Sequence, residues 1–558
     1  MGMSHFAGLY SLVPGAALPA RLSQALAEGM RSWGVPLATF EHPDFVLHHA
    51  GHSPGGPASA QVGHLVLDPG TPAGASALER VRHANGTFAL AEFDPAASRL
   101  VLATDSLGAR PLYWTRHGEI LIFSTSIRLI AALPGLRFEV DWPALAEQAA
   151  FCYPLASRTP LAGVQVLRDG EALIATPNGL DLTRYHRWEE TPLVEASAKD
   201  HAAHCHAAFL AAVRDRAPAT EPVTTLLSGG LDSRCIAGAL LDLGRQVHAW
   251  NLANDGWQDG VFAAQFAERA GIRMDRVEWT PAVLGETPGF TTMGALRAAT
   301  SQLAAPETFS GDGGGETIGF LMMEPAVLAL LDQGRPAEAF REYIHGKMIS
   351  RRVIGGRRFR ELQDAAAEGM AAEFDAMPGI PPQKAMQLFL LRNDMRRHLH
   401  DYFEYSESAR TELLLPFYDR RVLESVIRIA PPFGDLLGHR FYYRWMRRFR
   451  APVTEVPWQS YADHEPCPLP MPPDAKPQAQ ALAWARRLRA RQWRNQVVGE
   501  LWDTPPPAPL RGARLRLLIP ALHSLWNVWD AAPHFKDYLW VSGHCRLAAG
   551  EPVCRGTR

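Results

Sequence analysis

Over the first 190 residues, short runs of alternating apolar and polar residues recur between Gly and Pro: Gln61–Leu67, Thr87–Phe93, Leu100–Thr104, Ile120–Ser124 and Gly163–Leu167. A period of two sends successive side chains to opposite faces of a strand. These runs therefore predict an antiparallel, β-rich domain over residues 1–190, with helices at Pro19–Trp33 and Trp142–Phe151. The pattern changes near residue 200. Ala202–Arg216 has helical spacing, followed by a strand ending at Leu227, a helix at Cys235–Leu243, a strand at Gln246–Leu252, a helix at Gly260–Ala270 and a strand around Val277–Trp279. Strands alternating with helices predict a doubly wound parallel sheet, which takes its ligand at the carboxyl ends of its strands. After Phe320 the pattern is mainly helical. Pro466–Pro477 reads as a proline-rich exposed loop, and Arg486–Arg494 as a basic helical run. The expected fold class is α/β: an antiparallel domain over 1–190 and a parallel-sheet domain with a helical extension over 200–558.

Composition narrows the function. A chain of 558 residues exceeds one ordinary core, so two or three domains are expected. A net charge of −2 gives no argument for nucleic acid. The six cysteines lack CxxC spacing, which fits reduced thiols and neither a disulfide framework nor a zinc site. No apolar run is long enough for membrane insertion, and the first residues lack the pattern of a signal peptide, so the cytoplasm is expected. His48-His49, His398 and His400 lack metal spacing supported by carboxylates and read as structural. Arg351-Arg352 and Arg357–Arg360 read as a solvated face, with docking of an acidic peptide as the alternative.

The sharpest chemical signal is Leu226-Leu227-Ser228-Gly229-Gly230-Leu231-Asp232-Ser233-Arg234. A strand, a glycine turn and a helix N-terminus together form an anion site: backbone N–H groups point outward and the helix dipole favours negative charge. Asp232 would repel a bare phosphate, so a bridging cation is implied, Mg²⁺ being the usual one. The GK[ST] ending of a Walker loop is absent. Leu227, Ser228, Gly229, Gly230, Asp232 and Ser233 are expected to hold ATP, with Leu252 at the end of the next strand and Ser310 and Gly311 in a second glycine-rich loop.

The loop resembles the pyrophosphate loop of ATP pyrophosphatases, and the chain resembles the asparagine synthetase superfamily. Asn85-Gly86-Thr87-Phe88 and Asp105-Ser106-Leu107-Gly108-Ala109-Arg110-Pro111-Leu112-Tyr113 are similar to its NGxFA and DxLGxxPLY segments. Ser310–Glu316 is similar to its SGxGxDE motif, and Glu412–Asp419 to its ExRxPFLD motif. The resemblance implies an Ntn-hydrolase-like αββα amidotransferase domain followed by an ATP-pyrophosphatase domain.

The departures refine what it implies. Glutamine-dependent members begin Met-Cys-Gly, and the processed cysteine is nucleophile and amino terminus at once. Here the start is Met1-Gly2-Met3-Ser4, and the first cysteine is Cys152. Ser4 is neither terminal nor a thiol, so loss of the glutaminase is expected, with an amine of the substrate itself as the nucleophile. β-Lactam synthetases and lasso-peptide cyclases resemble this arrangement. The former carry a Tyr where Asp312 stands, paired with the Glu at Glu412, so the resemblance favours a lasso cyclase. It implies adenylation of an Asp or Glu side chain of a ribosomal peptide, attack by the peptide's α-amine, Asp312 and Glu412 as the acids beside that amine, and leader-binding and protease partners. The family's metal-binding Asp falls on Gly315, leaving Glu316 or Asp312 to join Asp232 at Mg²⁺. The family's downstream Lys is missing from Val456–Tyr461, with Arg444, Arg447 and Arg448 as replacements. An asparagine synthetase using free ammonia, a β-lactam synthetase-like cyclase and a non-catalytic nucleotide-binding scaffold are the alternatives.

Overall fold

The structure, a computed structural model, describes residues 5–278 apart from 35, 51–55 and 255, and 296–477 apart from 298–299, 304, 320–322, 350–352, 355, 406, 408–410, 459–463 and 474, together with 495–497, 538–539 and 541–550. Met1–Ser4, Arg351-Arg352, Arg486–Arg494 and Cys554 lie outside the described residues.

Two antiparallel sheets pack face to face in the amino-terminal domain. The first runs Ala38–His42, Phe45–Ala50, His5–Ser11, Ile120–Ser124, Tyr113–His117 and Gln165–Val166 in spatial order. The second runs Gly179–Arg184, Glu171–Thr176, Arg99–Thr104, Ala84–Asp94 and Ser59–Leu67. Phe6, Phe45 and Phe123 of the first sheet meet Phe93, Leu102 and Leu173 of the second, and the Phe45 and Phe93 rings stack at 4.6 Å. The helix Ala20–Arg31 covers the outer face of the first sheet with Leu22, Leu26 and Met30. The helix Ala77–Arg82 covers Phe88, Leu90 and Val101 on the second. The layers are therefore αββα. The predicted strand Gly163–Leu167 shrinks to Gln165–Val166 at the sheet edge.

The second domain carries five parallel strands in the order Arg273–Val277, Val247–Leu252, Val223–Leu226, Glu307–Phe309, Glu412–Leu414. Numbered along the chain this order is 3-2-1-4-5, so the sheet reverses between Val223–Leu226 and Glu307–Phe309. A crevice opens at the carboxyl ends of the strands at such a reversal. The loops that follow these two strands are Leu227–Gly230 and Ser310–Gly313. Helices dominate beyond them, several of them opened by a proline in the first turn, as at Pro325, Pro336 and Pro382. A π-helical turn at Leu390–Met395 extends the helix Pro382–Phe389.

The domains are tied by buried charge. The Arg110 guanidinium, 2% exposed, donates to both Glu412 oxygens at 2.8 and 3.4 Å and lies over the Phe403 ring. Arg420 reaches Asp68, which also takes the Asn85 amide. Glu404 accepts from Ser126 and Arg128. No helix among the described residues is long and apolar enough to cross a membrane. Cys152, Cys205 and Cys235 are free thiols.

Candidate active site

The helix after the motif strand begins at Leu231, four residues before the predicted Cys235. Asp232 and Ser233 thus lie in its first turn, where a carboxylate is favoured by the helix dipole. The turn is held from within. Ser233 Oγ accepts from the Ser228 N–H at 3.0 Å, and Ser228 Oγ from the Gly230 N–H at 3.1 Å. Asp259, opening the helix Gln258–Ala270, accepts the Gly229 N–H at 2.9 Å. Burial pushes the Asp259 carboxyl up to about 6. Arg234 is fully buried and donates to the carbonyls of Gly229, Val456 and Pro457. It fastens the loop to the Val456-Pro457-Trp458 segment.

The second loop lies against the first because two of its residues have no side chain. A Cβ on Gly311 would stand 2.6 Å from the Ser233 nitrogen, and one on Gly314 would stand 2.7 Å from Asp232 Cγ. The two loops and the adjoining strand ends enclose one pocket lined by Leu226, Leu227, Ser228, Asp232, Ser233, Trp250, Leu252, Leu296, Ser310, Gly311, Asp312, Gly313 and Glu316. Every residue expected at the nucleotide or metal lines this pocket except Gly229 and Gly230, which sit in the turn beside it.

Electrostatically the pocket is rich in acid. Asp232 takes hydrogen bonds from the Tyr442 hydroxyl and the Gly315 N–H. Burial, helped by the charges of Glu316 and Asp312, nevertheless raises it to about 7. Asp312 accepts from Ser310 and faces His398 Nε2 at 3.7 Å. Burial opposes charge on both partners, yet the pairing wins: Asp312 is held below the usual carboxylate range and His398 is raised to about 9. Converging carboxylates fit a divalent cation. Among the described residues no three acidic, His or Cys side chains form a ready cage. Mg²⁺ in nucleotide enzymes takes one or two carboxylates and completes its shell with phosphates and water, so Asp232 with Glu316 suffices.

Three expectations are revised. Glu412 does not share the pocket with Asp312: it begins its strand, opposite Glu307, and is held by Arg110. Arg444, Arg447 and Arg448 are exposed and line no part of the pocket, and Arg444 pairs with Asp435 at 2.7 Å. The proline-rich segment instead brings Lys476 alongside Gly256–Gln258, just before Asp259. His398, read as structural, is the counter-ion of Asp312. Only its spacing of two residues from His400 is visible in the chain, and His400 bonds the Gly108 carbonyl elsewhere.

Known proteins share these parts. A glutamine amidotransferase domain family matches residues 72–186, and the asparagine synthase family matches residues 204–433. The second match spans both pocket loops and Glu412. Residues 204–433 are thus an asparagine synthase-like region, preceded by a glutamine amidotransferase-like one. The glutamine-hydrolyzing asparagine synthetase 3 of Bacillus subtilis is 35% identical over 161 residues, 28% of this chain and 25% of that one. The amidase chry2 of Gibberella zeae is 31% identical over 175 residues, 30% of this chain and 25% of that one. The amidase chyE of Penicillium rubens is 31% identical over 180 residues, with the same shares. The chain thus spans about a quarter of the length of these curated relatives. Gly315, at the Asp position, marks the departure from the SGxGxDE motif that Ser310–Glu316 resembles.

Proposed function

We propose that this chain is an ATP-dependent, AMP-forming carbon–nitrogen ligase that closes a macrolactam ring in a ribosomal peptide. The carrying observation is the pocket at the sheet reversal, where the pyrophosphate loop and Asp232, Asp312 and Glu316 meet. ATP is a substrate here, cradled by Ser228–Ser233. Mg²⁺ held by Asp232 and Glu316 would neutralise charge on the departing pyrophosphate. Activation as an adenylate turns a side-chain carboxylate into a good acyl donor.

Asp312 then stands beside the incoming amine. Held ionised by His398, it is an acceptor for the ammonium and for the proton released as the amide forms. Glu412 is assigned a different role: its part-buried pair with Arg110 fixes the strand that leads to Pro416–Tyr418. Holding amine and activated carboxyl together supplies much of the acceleration.

Two observations support an internal amine over ammonia from glutamine. The first cysteine of the chain is Cys152. His5, beside Ser4, is 1% exposed and meets Glu407 of the second domain at 3.4 Å. A linear core peptide is the proposed substrate, with the protease that frees its amine and a leader-binding protein as partners. Likeness to asparagine synthetase 3 favours a second reading, amidation of aspartate by free ammonia. Incubating purified protein with ATP, Mg²⁺ and either core peptide or aspartate plus ammonium separates the two. Pyrophosphate release that needs the peptide supports the first, and asparagine formation overturns it.

A further inference from the structure

A second cavity, of about 650 Å³, shares no lining residue with the nucleotide pocket. Small-molecule sites run to roughly 300–1,000 Å³. One wall is the linker over residues 185–192, which leaves the amino-terminal domain. The others come from the helices Ala198–Arg216 and Arg420–Ile427. Arg421, Glu424 and Arg428 recur at helical spacing on the side toward the cavity, while Leu423, Val426 and Ile427 take the opposite, buried side. The charges on this wall are unequally matched. Arg421 is held by Asp215 and Asp419 at 2.8 and 2.9 Å. Arg187 lies 3.7 Å from Glu189 and Glu190. Glu424 lies 3.8 Å from Arg420 and acts on Arg428 only from farther off. Among the described residues Arg428 has no carboxylate within 4 Å; its Nη1 donates to His204 Nε2 at 2.9 Å. A guanidinium only donates, so that ring nitrogen is unprotonated and gives Arg428 no counter-charge. The Val194 N–H bonds the Arg428 carbonyl at 2.8 Å and fixes the linker at this residue. His186 lines the cavity from the linker side, and its buried Nε2 has no hydrogen-bond partner among the described residues.

The cavity therefore combines an arginine without a counter-ion, two imidazoles and room for an organic body. A guanidinium takes the oxygens of a carboxylate or a phosphoryl group two at a time. Pro192, Ala207 and Ala208 supply an apolar stretch of wall. We propose that this cavity binds a small organic oxyanion, its carboxylate or phosphoryl group on Arg428 and His204 and its apolar body against Pro192, Ala207 and Ala208. The occupant touches both domains, through the linker and through the helix Arg420–Ile427. Nothing in this depends on the macrolactam reading.

Three probes test it by saturation-transfer NMR on the full chain: phenyl phosphate, benzoate and the uncharged benzyl alcohol. Mg²⁺ and a non-hydrolysable ATP analogue fill the nucleotide pocket throughout. At least one of the two anions is expected to bind about tenfold more tightly than benzyl alcohol, the worth of a charge-assisted hydrogen bond. Binding of phenyl phosphate alone assigns the site to a phosphoryl ligand, and binding of benzoate alone to a carboxylate. Arg428→Gln should weaken the bound anion about tenfold, and Arg428→Lys less, while the ATP analogue still binds. Ala207→Glu changes an exposed position of the helix Ala198–Arg216 to another good helix former. It places a like charge in the cavity and should abolish anion binding. Anions held no better than benzyl alcohol by the parent chain, or held unchanged by Arg428→Gln or by Ala207→Glu, overturn the proposal.

Discussion

Asp105 and Asp232 are both aspartates at the heart of a family motif, one in each domain, and their surroundings differ. The Asp105 carboxyl accepts the N–H groups of Phe88, Leu107, Ala109 and Arg110 at 3.0–3.2 Å. Burial raises it to about 6 against those four donors. The loop it organises delivers Arg110 to Glu412 in the other domain. Asp232 has fewer donors and two acidic neighbours. A carboxylate saturated with backbone donors is a structural part, whereas converging carboxylates at a crevice mark a site that awaits a cation. The Asp105 motif organises the contact between the domains, and the Asp232 motif lines the pocket to which the proposed chemistry is assigned.

The largest effect that could break this contrast concerns Asp232. Asp232→Asn should reduce pyrophosphate release by on the order of a hundredfold or more and leave the melting temperature unchanged or raised. A large loss of stability with residual activity would place Asp232 with the structural acids. Next in size, Arg110→Ala leaves the part-buried Glu412 without its partner, which costs up to roughly 3 kcal/mol. Replacing both, Arg110→Met with Glu412→Leu, should recover much of that loss in urea titrations. Additive losses would mean that the two do not act as a pair. Asp105→Asn keeps the shape but loses the charge that four N–H groups share, costing about 2–3 kcal/mol. Its adenylation rate per folded molecule should be unchanged.

Lys384 sharpens the contrast at smaller scale. It is 4% exposed and bonds Gln387 and the Ile427 carbonyl. Burial lowers it from 10.5 to about 7. Between those values the unfolded chain holds a proton that the folded chain has lost, so stability rises with pH across this window. Below about 7 the penalty is fully present, and above 10.5 it has vanished. Lys384→Met should therefore stabilise most below neutral pH, by roughly 1–2 kcal/mol net of two lost hydrogen bonds, with the gain fading toward alkaline pH. A pH-independent change in melting temperature would contradict this. Smallest of all is the expected glutaminase signal: glutamate release from glutamine should stay at background.

The chain made some of this legible and hid the rest for physical reasons. Half-buried strands such as Ser59–Leu67, which contains the predicted run Gln61–Leu67, show alternation. His5–Ser11 and Phe45–Ala50 do not, because both their faces are covered and nearly every position is buried. The three-residue strands Glu307–Phe309 and Glu412–Leu414 are too short to carry a period. The pocket loops were readable because glycines, serines and an aspartate in fixed order have few other uses. Asp259, Tyr442 and His398 were not, since each reaches the pocket loops from a helix whose spacing says nothing of what it faces across the fold. Glu412 shows the opposite error: the motif was visible, but its partner, Arg110, lies 302 residues away.

The measurement that tests the account most directly is mass spectrometry of a core peptide incubated with the protein, ATP and Mg²⁺, with the nucleotide products followed in the same tube. Loss of one water from the peptide is expected, matched one for one by AMP and pyrophosphate, with no change in a peptide whose α-amine is acetylated. Water loss from the acetylated peptide, or ADP and phosphate as the products, would contradict it.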